Sequence, residues 1–178
     1  MNLPDQLTVG RAASVPLVVL LYAWELPHNE VWATALFCVA MATDWLDGRI
    51  ARRRGTTSSL GSLLDPIADK VLVLAVLVML IEDAIWPAWM VAAIIAREIL
   101  VSGLRLAAIE RGVVMAARDL AKVKTWAQAS AAAIGGFAAA DLWSDDLGYW
   151  ALVVALALTW ASGIDYARIA PRLLRGTA

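Results

Sequence analysis

The sequence predicts an all-α, polytopic membrane protein with six transmembrane helices and a short N-terminal interfacial helix. Two observations carry that expectation. Apolar stretches long enough to cross a bilayer recur six times along the 178 residues, and the charges between them sort by sign onto alternate sides. Composition agrees: 61% of residues are hydrophobic and the mean hydropathy is +0.69, whereas soluble domains are about half apolar. Alanine, leucine and valine dominate with few strand signals, which favours helices over a barrel. One domain covering residues 1–178 suits this length.

The chain opens with a short mixed stretch, Leu3 to Gly10, with Pro4 near its start, as suits an amphipathic helix lying on the inner membrane face. The expected spans are then Val9–Leu26, Val31–Ala51, Leu60–Ile81, Trp86–Leu106, Ala121–Ala140 and Leu147–Ile169. The first is not read as a signal peptide, because no small-residue cleavage site follows it and five further spans do. Cys38 is the single cysteine and lies within the second span, which leaves no disulfide or thiol cluster. His28, in an acidic loop, reads as an ordinary exposed residue.

One set of loops holds Glu25, Glu30, Glu82, Asp83, Asp141, Asp145 and Asp146 and no Lys or Arg; all 15 basic residues fall on the other side. The positive-inside rule then puts both termini in the cytoplasm of a bacterial-type inner membrane. Trp24, Trp32, Trp86, Trp89, Trp143 and Trp150 fall near the outer ends, where interfacial anchors belong. Nothing here points to a nucleic-acid partner.

The chemistry concentrates between Asp44 and Lys70, in DWLDGRIARRRGTTSSLGSLLDPIADK. Asp44 and Asp47 are three apart near the inner end of the second helix, and Asp65 and Asp69 are four apart near the start of the third, so each pair shares a helix face. Gly55 to Ser59 supply the turn, and an antiparallel pair joined so briefly can bring the two faces together. Four carboxylates at a membrane boundary repel one another and lose hydration, so something must compensate them. Arg52 and Lys70 offset part of the charge. Two divalent cations, Mg²⁺ or Mn²⁺, would offset more, since both prefer carboxylate oxygens and such pairs serve phosphoryl transfer. Salt bridges with the arginine run are the plainer alternative. On spacing alone, Gly48, Ala51 and Gly61 are best explained by close helix packing, with room for a base or a diphosphate as the other reading.

These residues match the pattern D-x2-D-G-x2-A-R-x8-G-x3-D-x3-D without departure, through Asp44, Asp47, Gly48, Ala51, Arg52, Gly61, Asp65 and Asp69. The chain thereby resembles the CDP-alcohol phosphatidyltransferase family. NLPDQLTVGR, AREILVSGLR and the KVKT that begins at Lys122 are similar to the bacterial branch that makes phosphatidylglycerol phosphate from glycerol 3-phosphate. The resemblance implies a homodimer in the membrane lipid, CDP-diacylglycerol as donor, and an active site open to the cytoplasm. It implies that Asp44, Asp47 and Asp65 hold two metals, and that Asp69 joins them and acts as general base. It further implies that Gly48, Ala51, Arg52 and Gly61 serve the nucleotide and its diphosphate.

A phosphorylated acceptor needs cations. Arg118 and Lys122 are one helical turn apart, Lys124 follows, and Arg97 and Arg105 stand on the preceding helix. Positive-inside bias or attraction to anionic headgroups explains Arg111 and the C-terminal arginines as well as any site does. For Arg97, Arg105, Arg118, Lys122 and Lys124 the resemblance implies acceptor-phosphate binding. Glu98 reads only as a structural partner of Arg97. Two rivals remain: a relative that uses inositol phosphate, and an ion or metal transporter. Carboxylates clustered at one end of the spans fit transport poorly.

Overall fold

The computed structural model describes the backbone of residues 3–24, 26–54, 59–110 and 119–175, and side chains within residues 10, 13–24, 26–43, 70–110 and 119–168. Every regular element among the described residues is an α-helix: α1 Leu3–Ala23, α2 Asn29–Arg54, α3 Ser59–Glu82, α4 Ala88–Glu110, α5 Asp119–Ala139 and α6 Asp145–Arg175. Each expected span lies largely on one of these helices, with limits that differ by a few residues. The stretch expected to form a separate interfacial helix does not: Leu3 to Gly10 runs into α1 without a break. No turn signal separates Gly10 from Arg11, and Pro4 falls in the first turn, where a missing N–H costs nothing.

Short connections on the acidic side make the hairpins. Asn29 opens α2 while its Nδ2 donates to the Tyr22 carbonyl at 3.1 Å, satisfying one of the last acceptors of α1. The α3–α4 turn places Ala84 at φ 57°, and the α5–α6 turn places Asp141 at φ 56°. At the start of α6 the Leu147 N–H reaches Ser144 Oγ at 3.4 Å, and Asp145 and Asp146 sit in the first turn, where the helix dipole favours acids.

The helices enclose one main apolar core. Val18, Phe37, Leu72, Val76, Leu77, Leu80, Ile94 and Leu152 are at most 1% exposed within it. Small residues set how closely α5 approaches its neighbours. Gly136 lies against the Tyr22–Thr34 hydrogen bond (2.8 Å), which joins α1 to α2. Gly135 lies against the Trp86 ring, whose Nε1–H donates to the Leu77 carbonyl at 3.0 Å. Trp86 is therefore a buried packing residue and not an interfacial anchor. Trp24, Trp32, Trp89, Trp143 and Trp150 are exposed, as is His28.

Among the described residues one helix segment, Asp145–Arg168, is long and apolar enough by itself to cross a membrane. Across α4, by contrast, Arg97, Glu98 and Arg105 interrupt the apolar run. On α5, Lys124 and Gln128 do the same. These interruptions converge on one place.

Candidate functional site

Four of the interrupting residues, Arg97, Glu98, Lys124 and Gln128, are 3–5% exposed and meet inside the helix bundle. Burying ionic groups is costly unless each finds partners, so their positions should be strongly constrained. Glu98 Oε1 is the hub. It accepts from Arg97 Nη1 at 2.9 Å, from Lys124 Nζ, and from Gln128 Nε2 at 3.3 Å. Lys124 and Gln128 are one turn apart on α5, which presents both to the same carboxylate.

α6 closes the network. Arg97 Nη2 donates to Ser162 Oγ at 2.8 Å and Gln128 Nε2 to Thr159 Oγ1 at 2.8 Å, so hydroxyls three residues apart on one helix hold groups from two others. Gly163 leaves the space that Arg97 occupies: a Cβ there would lie 3.1 Å from Arg97 Nε. That Nε is buried and finds no hydrogen-bond acceptor among the described residues. From α3, Lys70 Nζ donates to Ser102 Oγ at 2.8 Å and stands 3.7 Å from Glu98 Oε2.

These groups border a cavity of about 410 Å³, walled also by Arg105, Lys122, Thr125 and Tyr166. The Arg105 guanidinium sits 6.0 Å from the centre of the Tyr166 ring, at the outer limit of a cation–π contact. Lys122 is largely exposed and pairs with Asp119 at 2.9 Å. Among the described residues, five cations therefore line the cavity against one carboxylate. At its buried centre, among the described residues, Arg97 and Lys124 both donate to Glu98, two positive charges on one negative. An anion with several acceptor oxygens is the ligand that such a wall favours.

Of the five cations expected to bind acceptor phosphate, the structure brings Arg97, Arg105, Lys122 and Lys124 to this cavity; Arg118 lies outside the described residues. Arg97 and Lys124 are committed to Glu98, so Glu98 is more than a neighbour of Arg97. Lys70, read as offsetting the aspartates, has two partners on α4. Sequence reasoning passed over Ser102, Gln128, Thr159, Ser162 and Tyr166. The spacing of Lys124 to Gln128 and of Thr159 to Ser162 was the only available signal, and it needs the partner helix to acquire meaning.

Asp44, Asp47, Gly48, Ala51 and Arg52 fall on α2, and Gly61, Asp65 and Asp69 on α3, with the expected spacings intact in helical backbone; their side chains lie outside the described residues. Among the described residues no group of three His, Cys, Asp or Glu could hold a metal ion. In the chain, the aspartate pair of α3 ends immediately before Lys70.

A family model for CDP-alcohol phosphatidyltransferase matches residues 1–161. Similar curated proteins include the CDP-diacylglycerol–glycerol-3-phosphate 3-phosphatidyltransferase of Bacillus subtilis (strain 168), 38% identical over 93% of each chain. The protein of the same description from Pseudomonas fluorescens is 37% identical over 96% of this chain and 90% of its own. That from Escherichia coli (strain K12) is 36% identical over 93% and 92%.

Proposed function

The chain belongs to the CDP-alcohol phosphatidyltransferase family, and from that premise we propose that it transfers the phosphatidyl group of CDP-diacylglycerol to glycerol 3-phosphate, giving phosphatidylglycerol phosphate and CMP. The observation that carries the acceptor assignment is the cavity of about 410 Å³ with, among the described residues, five cations and one carboxylate on its wall. A phosphate monoester of a small polyol fits that charge and that volume.

The reaction forms one P–O bond and breaks another. The primary hydroxyl of the acceptor attacks the phosphorus that bears the diacylglycerol, the bond to CMP breaks, and the hydroxyl proton leaves with a base. Asp69 takes that role in this reading: a positioned carboxylate can accept the proton as attack develops, and no covalent enzyme intermediate is needed. Asp44, Asp47, Asp65 and Asp69 would hold two divalent cations, Mg²⁺ or Mn²⁺, which when bound supply neutralisation of the diphosphate and of the departing CMP. Gly48, Ala51 and Gly61 leave room for the nucleotide, and Arg52 supports the diphosphate. Lys70, Arg105 and Lys122, with Arg118, take the acceptor phosphate, while Arg97 and Lys124 supply the buried positive potential behind them.

The same reading makes the protein one polytopic domain of the bacterial inner membrane. Large apolar side chains face outward on all six helices, among them Leu17, Val39, Val78, Leu100, Trp126 and Val154, each 45–66% exposed. Such a surface suits lipid and not water. Charge asymmetry puts both termini and the active site on the cytoplasmic side. A homodimer accompanies this reading through the family alone.

The test uses purified protein with CDP-diacylglycerol and Mg²⁺ or Mn²⁺. CMP release is measured with glycerol 3-phosphate, with inositol phosphate and with no acceptor. Release that requires glycerol 3-phosphate, stops with chelator and is lost in Asp69→Asn is the expected result. Release only with inositol phosphate would overturn the acceptor, and no release from folded, metal-supplied protein would overturn the transferase reading.

A further inference from the structure

The two oxygens of Glu98 stand in different situations. Oε1 is taken by three donors, from Arg97, Lys124 and Gln128. Oε2 receives no hydrogen bond from the described residues: Lys70 Nζ is 3.7 Å away, beyond bonding range, and gives its proton to Ser102. Glu98 is also the one carboxylate among the residues that wall the cavity. Cations alone would hold a phosphate without reading what it is attached to. A carboxylate with an open lone pair accepts a hydrogen bond from a hydroxyl and repels a phosphate.

We propose that Glu98 determines acceptor specificity, its Oε2 accepting a hydrogen bond from the non-reacting middle hydroxyl of the acceptor while the carboxylate turns the phosphate away toward Arg105 and Lys122. This rests on the acceptor reading above. Arg105 is seven residues from Glu98 on α4, about 10 Å along the helix axis. That separation leaves space for a three-carbon phosphate ester to lie between the two. Lys70, beside Oε2, directly follows Asp69 in sequence. The hydroxyl-bearing end of the acceptor is therefore directed to the side of the cavity that α3 supplies, where the proposed base lies in the chain. No bond is made or broken by Glu98; it selects and orients.

The probe is 3-hydroxypropyl phosphate, which keeps the phosphate and the attacking primary hydroxyl of glycerol 3-phosphate but lacks the middle one. With wild-type enzyme, kcat/KM should fall roughly 10–100-fold relative to glycerol 3-phosphate, the loss expected for one hydrogen bond to a charged group. In Glu98→Ala that ratio should shrink to within about threefold, with Glu98→Gln intermediate because its amide oxygen still accepts. Both acceptors are compared on one preparation, so any loss of folded enzyme cancels from the ratio. Equal kcat/KM for the two acceptors in the wild type would overturn the proposal without any variant. So would an undiminished ratio in both Glu98 variants. Absence of glycerol 3-phosphate-dependent CMP release from the wild type would instead remove the acceptor reading beneath it.

Discussion

Removing the single negative charge of the buried cluster should destabilise the protein more than removing one of its positive charges. Glu98→Gln leaves Arg97 and Lys124 facing each other with no anion between them, both at most 5% exposed. Breaking a buried ion pair from one side costs about 3–5 kcal/mol, and two orphaned cations put this variant at the upper part of that range. Lys124→Met leaves Glu98 with Arg97 Nη1 at 2.9 Å and with Gln128. The remaining pair is neutral and bonded, and methionine fills most of the vacated length, so the cost should be about 1–2 kcal/mol. At roughly 2–4 °C per kcal/mol for a chain of this size, the apparent melting temperature should fall by about 6–20 °C for Glu98→Gln and by about 2–8 °C for Lys124→Met. The double variant should be more stable than Glu98→Gln alone, because the second substitution removes a cation that the first has stranded. Thermal unfolding of the detergent-solubilised protein in phosphate-free buffer reads all three. If Lys124→Met costs as much as Glu98→Gln, the cluster has no positive excess and the argument for an anion site at its centre fails.

Two further outcomes follow from the packing and the outer loops. Gly136→Ala puts a methyl 2.6 Å from Tyr22 Oη and against Thr34, so the buried hydroxyl pair must separate. Overpacking and the lost bond together should cost about 2–4 kcal/mol, with partial recovery in Gly136→Ala/Thr34→Ala, checked by the same melts. Burial first, then Glu30 and Glu82, hold the Asp83 carboxyl above its ordinary range. An acid whose folded pKa is raised contributes stability below its unfolded pKa and loses it as pH rises through the folded one. Asp83→Asn should therefore raise the melting temperature slightly at pH 7, with the gain vanishing as pH falls to about 4; a gain that persists in acid would contradict the assignment.

The parts of this fold legible in sequence are those set by local composition. Apolar runs separated by charge clusters located all six helices, because a bilayer-length helix leaves its period and its limits in the chain itself. What escaped depends on a second helix. Trp86 at a span end looks like any interfacial anchor; only Gly135, about fifty residues on, provides the slot that buries it. The short N-terminal helix was inferred from a change in composition, and composition shifts do not break a helix unless the backbone has reason to bend. The motif put the aspartates on α2 and α3, where their side chains lie outside the described residues, and the basic residues expected for the acceptor include four of the cations at the cavity. Neither distinguished Lys124, turned inward to Glu98, from Lys122 two residues earlier, which pairs with exposed Asp119.

That distinction gives the cluster its sense. A protein free to optimise stability would neutralise buried charge or replace it with apolar side chains, often at no loss. Here α4, α5 and α6 together contribute Arg97, Glu98, Lys124, Gln128, Thr159 and Ser162 to one buried place inside the helix bundle. The hydroxyls and the amide occupy most of the polar atoms of these groups, Arg97 Nε excepted, and among the described residues they leave the charge unbalanced by one. An imbalance maintained by so many partners is a standing potential for an anion. Under the proposed function, a phosphate entering the cavity would meet donors already in place, and its binding would compensate charge that the described residues leave unbalanced. Acceptor binding and stability are then linked through the same residues: whatever holds the phosphate also relieves the cluster.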